Sequence, residues 1–159
     1  MKPKRAAAKK SGRSAPPIKR VAAAFIVQRG KPGAASAGSA VDKILICQRT
    51  RHQPFPLKWE FPGGKIEEGE QPRYALRREL EEELGIDARI GDEVARIQHT
   101  YTHGGTVELR FFLVEEFAGE IENRIFKDVR WVSRKQLPEF DFLEADAGLV
   151  EDIAAGSIL

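Results

Sequence analysis

Residues 64–86 read GKIEEGEQPRYALRRELEEELGI, a glycine turn running into a helix that carries Glu79, Glu81, Glu82 and Glu83 in its final turn before Gly85. Negative charge sits badly there. The helix macrodipole places partial negative charge at the C-terminus, so each carboxylate is disfavoured by about 0.3–1 kcal/mol, and Glu79 with Glu83 adds a like-charge i,i+4 pair. Glu79, Glu82 and Glu83 fall at i, i+3 and i+4 on one helical face, a spacing that can bring oxygen ligands to a hard cation. Beside that face Leu76, Leu80 and Leu84 form an i, i+4, i+8 stripe that belongs in a core. Pro72 suits the first helical turn, Gly63-Gly64 allow close backbone approach before it, and Gly85 suits the left-handed stop position.

The full spacing is Gly64, five residues, Glu70, seven residues, Arg78-Glu79-Leu80, one residue, Glu82-Glu83, one residue, Gly85-Ile86. It resembles the Nudix box at every defining position. The preceding Trp59-Glu60-Phe61-Pro62-Gly63-Gly64-Lys65-Ile66-Glu67 is similar to the branch containing the MutT-type 8-oxo-dGTP diphosphatases, and the resemblance runs from about Val21 to the C-terminus. A solvated acidic helix face is the plain alternative, but it explains neither the two glycines nor Glu70 and Arg78 in register with the acids.

The resemblance implies an α/β class, as an α/β/α sandwich with a mixed sheet. It implies Mg-dependent hydrolysis of (deoxy)nucleoside triphosphates, oxidised or noncanonical, to nucleoside monophosphate and pyrophosphate, with Mn2+ able to replace Mg2+. The Gly63 carbonyl with Glu79, Glu82 and Glu83 would hold the metal, and of these three catalytic acids Glu79 is foremost for deprotonating or orienting the attacking water. The charges agree. An acidic cleft repels a triphosphate unless a divalent cation stands between carboxylate and phosphate. Glu70 and Arg78 would clamp the loop to the helix, with Gly64 and Gly85 as further motif positions; a simple surface ion pair is the alternative for the first two.

Substrate residues follow from the same resemblance. Arg49 matches a substrate-contacting arginine, with Arg51 as a nearby alternative; Lys65 can meet a phosphate as a point charge; Phe61 would line the base pocket, with ordinary core packing as its alternative. MutT reads the purine edge with an asparagine, and Asp146 falls at that position. An ionised aspartate accepts but cannot donate. Asp146 therefore either stays protonated or selects a base edge rich in donors, such as cytosine N4 or guanine N1/N2, unless it serves as the N-cap of the last helix. Other MutT-type enzymes carry a further acid ligand shortly before the tryptophan matching Trp131. Here Ile125 stands in that place, with Glu120, Glu122 and Asp128 as nearby substitutes. Tyr101 falls where dinucleoside-polyphosphate hydrolases carry a tyrosine, but the Pro62–Lys65 loop does not resemble theirs, and a strand tyrosine is ordinarily packing.

Composition bounds these readings. A chain of 159 residues with 42% hydrophobic content suits one compact domain. The single cysteine, Cys47, excludes an intrachain disulfide framework, fits a reducing, cytoplasmic setting, and reads as a buried thiol within an apolar run. His52, His99 and His103 lack zinc-site spacing, and no stretch approaches a membrane span. The first twenty residues carry eight of the 26 bases and none of the 24 acids, leaving the remainder acidic. Residues 1–18 are predicted to be a disordered basic tail ahead of a Nudix domain over residues 19–159. That tail suits weak nucleic-acid association or simple solubilisation, and its lack of acids also resembles a transit peptide.

Strands are predicted over 20–28, 43–50, 88–101, 106–116 and 129–132, and a closing helix over Ala145–Ala155. A mobile small-residue loop joins the first two strands over 29–42, Gly104-Gly105 turn between the third and fourth, and Ser133 caps a turn into Leu137. Nothing in the sequence specifies an oligomeric state. The rival functions are a dinucleoside-polyphosphate or nucleotide-sugar hydrolase and a catalytically silent nucleotide-binding module.

Overall fold

A computed structural model describes residues 17–30 and 41–159. Most of the basic tail, residues 1–16, and the 31–40 part of the small-residue loop lie outside the described residues.

Strand β1 (Lys19–Arg29) is the centre of the molecule because its alternation is apolar on both faces. Ala22, Ala24 and Ile26 turn to one core, and Ala23, Phe25 and Val27 to the other. A strand covered on both faces is the pattern of a sheet between helical layers. On one side β1 pairs parallel with β7 (Gly105–Val114), from Lys19↔Val107 to Ile26↔Val114. Its other side is shared: β2 (Val41–Gln48) takes the C-terminal half and β4 (Gly63–Lys65) the N-terminal half, both antiparallel. β6 (Glu93–Tyr101) pairs antiparallel with β7, while β3 (Trp59–Glu60) and β9 (Asp128–Ser133) pair antiparallel with β2. β5 (Asp87–Arg89) and β8 (Glu116–Ala118) form a separate ribbon.

Helix α1 (Pro72–Leu84) lays Leu76, Leu80 and Leu84 on the Ala22–Ala24–Ile26 face, together with Leu45 and Cys47. Helix α2 (Ala147–Ala155) lays Leu149, Val150 and Ile153 on the opposite face, with Phe25, Ile44 and Ile46. The result is an α/β/α sandwich with a mixed sheet. Each leucine of the α1 stripe is fully buried; truncating one to Ala costs about 2–5 kcal/mol.

The predicted 106–116 strand ends at Val114, with Glu116 in the separate β5–β8 ribbon, and three further elements differ from expectation. The 88–101 segment is two strands, broken at Gly91, whose N–H donates to the Leu113 carbonyl at 2.8 Å; a Cβ at Gly91 would lie 2.6 Å from that oxygen. Gly63–Lys65, expected as a turn, is a strand, because Ala22 and Ala23 let glycine backbone pair against β1. A Cβ on Gly63 would lie 2.1 Å from the Ala22 carbonyl oxygen. The closing helix begins at Ala147, after a 3-10 turn over Glu144–Asp146. Gly85 ends α1 at φ 69°, its N–H on the Glu81 carbonyl at 3.0 Å. Among the described residues, no helix is long and apolar enough to cross a membrane.

Candidate active site

The acid-loaded end of α1 is held by a segment some forty residues further along. There Glu122 donates its backbone N–H to the Leu84 carbonyl at 2.9 Å, and Arg124 donates its own to Glu83 at 3.1 Å. The Arg124 guanidinium adds a bond from Nη1 to the Glu81 carbonyl at 3.0 Å. These donors satisfy carbonyls that a helix end leaves open and set a positive charge at the negative end of the dipole. Part of the electrostatic cost of the glutamates is offset in this way.

Arg78 organises the acids themselves. Its fork reaches both Glu70 carboxylate oxygens at 2.9 Å and the Lys65 carbonyl at 3.2 Å, and its remaining nitrogen reaches Glu79 Oε1 at 2.9 Å. Glu70 also accepts the Glu67 N–H at 3.0 Å. The Arg78 hydrogen bonds come first among the causes that lower the Glu70 pKa to about 2. Glu79 lies over Gly64, where a Cβ would sit 2.3 Å from its carboxyl carbon, so any larger residue would push that carboxylate aside. Burial raises the Glu79 pKa against the pull of Arg78. Glu83, 8% exposed, accepts the Gly63 N–H at 3.2 Å. Burial, then Glu79 and Glu60, push its pKa up to about 9.

Glu82 is exposed and stands 3.5 Å from Arg78. The carboxylates thus share one helix end, with Glu79 and Glu82 turned to Arg78 and Glu83 turned to the Gly63 N–H. Among the described residues no three acids or imidazoles close around a common centre. The donor set still fits a divalent cation. It is all oxygen, and Glu83 has a buried, like-charged neighbourhood that such a cation would relieve.

A cavity of about 360 Å³ adjoins this end, lined by Gly63, Gly64 and Glu83 and also by Arg49, Glu60 and Lys65. Arg49 is anchored there by Glu60 Oε2 at 2.8 Å and the Pro54 carbonyl at 2.8 Å. Lys65 is exposed on the lining. Phe61 is elsewhere: it is 4% exposed in the aromatic core, 4.8 Å from the Phe25 ring and 5.2 Å from Phe142, and not among the lining residues.

Asp146 lines the cavity, 2% exposed, and its Oδ1 has no hydrogen-bond partner. Although it precedes α2 it makes no side-chain cap, because its φ and ψ of −94° and −12° are already helical. Burial, then the charge of Glu60, raises its pKa to about 8. Ile125 lines the same cavity. Of the acids near it in sequence, Glu122 pairs with Arg124, Asp128 pairs with Arg130, and neither these nor Glu120 is on the lining.

Residues 19–153 match the NUDIX domain family. This chain belongs to the Nudix family. It is 39% identical over 108 residues to the 8-oxo-dGTP diphosphatase of Haemophilus influenzae, covering 68% of this chain and 79% of that protein. It is 36% identical over 113 residues to the CTP pyrophosphohydrolase of Escherichia coli K12, covering 71% and 83%. The MutT Nudix hydrolase structure from Burkholderia pseudomallei matches with a TM-score of 0.70 at 25% identity, over 86% of this chain and 98% of that one. The chain is a Nudix hydrolase, of a family whose members use divalent metals.

Three residues of this Nudix site were given no role by the sequence. Glu60 had a readable signal: Trp59 and Phe61 are buried on one side, so the residue between them faces the other, opposite Cys47. Phe55 had a weaker one, an aromatic between two prolines in a turn. Arg124 had none, since its contact with α1 exists only after folding.

Proposed function

We propose that this Nudix hydrolase cleaves (deoxy)nucleoside triphosphates, oxidised or noncanonical ones among them, to nucleoside monophosphate and pyrophosphate. The observation that carries the reading is the buried acid Glu83, with half-buried Glu79 one helical turn away, on a cavity that also holds Lys65, Arg49 and an unpartnered Asp146 carboxyl. Magnesium, or manganese in its place, would be held by the Gly63 carbonyl, Glu79, Glu82 and Glu83; it would neutralise phosphate charge and lower the pKa of a bound water. Glu79 would take the proton of the attacking water, and the anhydride linkage between the α- and β-phosphorus atoms breaks to release nucleoside monophosphate and pyrophosphate. Lys65 and Arg49 meet phosphate charge, while Glu70 and Arg78 keep the glycine loop against the helix.

Asp146 reads the base. With its pKa raised to about 8 the carboxyl is neutral at pH 7, so its hydroxyl donates and its carbonyl accepts, the pattern of an amide. Such a pair suits cytosine N3/N4 or guanine O6/N1, and the relatives from Haemophilus influenzae and Escherichia coli are named for a guanine-type and a cytosine nucleotide. Every box acid is retained, which favours turnover over a silent binding module.

The setting is cytoplasmic on this reading. The basic tail adds at most weak nucleic-acid binding, so deleting residues 1–18 should leave turnover of free nucleotides unchanged and abolish any salt-sensitive association. The deciding experiment measures monophosphate and pyrophosphate release across ordinary and oxidised triphosphates, with magnesium and with chelator. Full activity in chelator, or orthophosphate as the released product, would overturn the proposal.

A further inference from the structure

The turn between β2 and β3 holds two non-glycine residues in the left-handed region, Phe55 at φ 54° and Leu57 at φ 63°. That conformation costs about 1–2 kcal/mol per residue. For Phe55 the cost is not recovered by burial, since the side chain is 42% exposed. The turn is nonetheless built. Arg49 Nε donates to the Pro54 carbonyl at 2.8 Å, Gln48 Nε2 to the Leu57 carbonyl at 3.1 Å, and the Thr50 N–H to Gln53 Oε1 at 2.8 Å. What these bonds hold out is an aromatic ring.

That ring lies 4.6 Å from the Tyr101 ring at an interplanar angle of 32°. Tyr101 is braced in turn by His99, edge-on at 4.5 Å. Gly104 keeps the place clear, because a Cβ there would come within 3.2 Å of Tyr101 Cβ and 3.8 Å of Phe55 Cζ. Both rings line the cavity that contains Lys65, Glu83 and Asp146. A strained, partly exposed aromatic held beside an unpartnered buried carboxyl suits a flat ligand with a polar edge.

We infer that Phe55 is a stacking platform for the nucleobase, taking its face while Asp146 takes its edge. The inference rests on the reading of the chain as a nucleotide hydrolase. The two residues divide the work. Every base has a π-face, so stacking binds bases as a class, whereas a hydrogen-bonding edge ranks them.

The test uses the full-length chain with magnesium and compares wild type with Phe55→Ala, Phe55→Leu and Phe55→Trp. Calorimetry measures binding of guanosine and cytidine monophosphates and of inorganic tripolyphosphate, which has charge but no base. Ala and Leu should each weaken both monophosphates about tenfold or more and leave tripolyphosphate unchanged. Trp should bind the monophosphates at least as tightly as wild type. Leu keeps the apolar bulk without the π-face, so a packing role would survive in it. Unaltered monophosphate affinity in the Ala and Leu variants, equal weakening of tripolyphosphate, or no monophosphate binding by wild type would each overturn the platform. Pyrophosphate release from triphosphates is assayed alongside: its absence in wild type overturns the hydrolase reading, while the binding series still decides the role of Phe55.

Discussion

The last turn of α1 and the turn bearing Phe55 both hold the chain in an unfavourable state, but the strain is of different kinds. At α1 it is electrostatic: glutamates crowd a helix C-terminus, offset by Arg78, the Gly63 N–H and Arg124. At Phe55 it is conformational, a left-handed backbone kept by local hydrogen bonds. The acids come from one contiguous segment. The cavity wall that bears Phe55, Tyr101 and Asp146 is gathered from the β2–β3 turn, β6 and the turn before α2. On the proposed reading, bond-breaking chemistry is encoded locally and base discrimination by packing.

If the two regions act independently, the largest effect falls on rate and leaves preference alone. Glu79→Gln keeps size and removes the charge, so turnover should fall about 10²–10⁴-fold while the ranking of nucleobases by kcat/KM stays as in wild type. A changed ranking would break the division; near-wild-type turnover would remove Glu79 as the base.

The same division explains what was legible. The α1 helix, its Gly85 stop and the burial of Leu76, Leu80 and Leu84 follow from spacing inside a single element. The strand at Gly63–Lys65 does not, because glycines carry no side-chain pattern and its partner, Ala22-Ala23, lies forty residues earlier. Asp146 invited a cap reading from its position ahead of a helix. A preceding 3-10 turn puts its backbone in the helical region and sends the carboxyl into the cavity instead. Phe61 and Phe55 stand six residues apart, yet strand pairing puts the first in the core and the turn puts the second on the cavity.

The next effect belongs to the base side. Asp146→Asn should redistribute kcat/KM among oxidised-guanine, guanine and cytosine triphosphates by about 1–3 kcal/mol, the scale of one buried hydrogen-bonding group, with the magnesium requirement unchanged. The pH dependence has a definite sign. Below about pH 8 the wild-type carboxyl is neutral and donates; above it the carboxylate only accepts. Substrates that need the donor should weaken as pH rises through 8 in wild type but not in Asp146→Asn. The same ranking in Asp146→Ala as in wild type would take the residue out of the specificity site.

Arg124 is half exposed, so its effect is smaller. Arg124→Ala loses the side-chain bond to the Glu81 carbonyl, the exposed ion pair with Glu122 and the charge at the helix end, about 1 kcal/mol together, or a few degrees in Tm. The apparent magnesium requirement should rise because the acids sit on the turn it holds, while nucleobase ranking stays fixed. A Tm fall with an unchanged magnesium requirement would make Arg124 a structural contact only.

The smallest expected effect tests the strain itself. Glu83 has a folded-state pKa of about 9, above the ordinary carboxylate value of 4.5. Between those values the folded chain binds more protons than the unfolded chain, so metal-free stability falls as pH rises from about 4.5 towards 9. Glu83→Gln removes the carboxyl that must take up that proton on folding, yet keeps an oxygen to accept the Gly63 N–H. In chelator at pH 7 the variant should melt a few degrees above wild type, and near pH 4 the difference should vanish. Saturating magnesium should reverse the order, because wild type gains more from ion binding. A Glu83→Gln protein that melts below wild type in chelator at pH 7 would mean that Glu83 is comfortable without a cation and that the end of α1 stores no electrostatic strain.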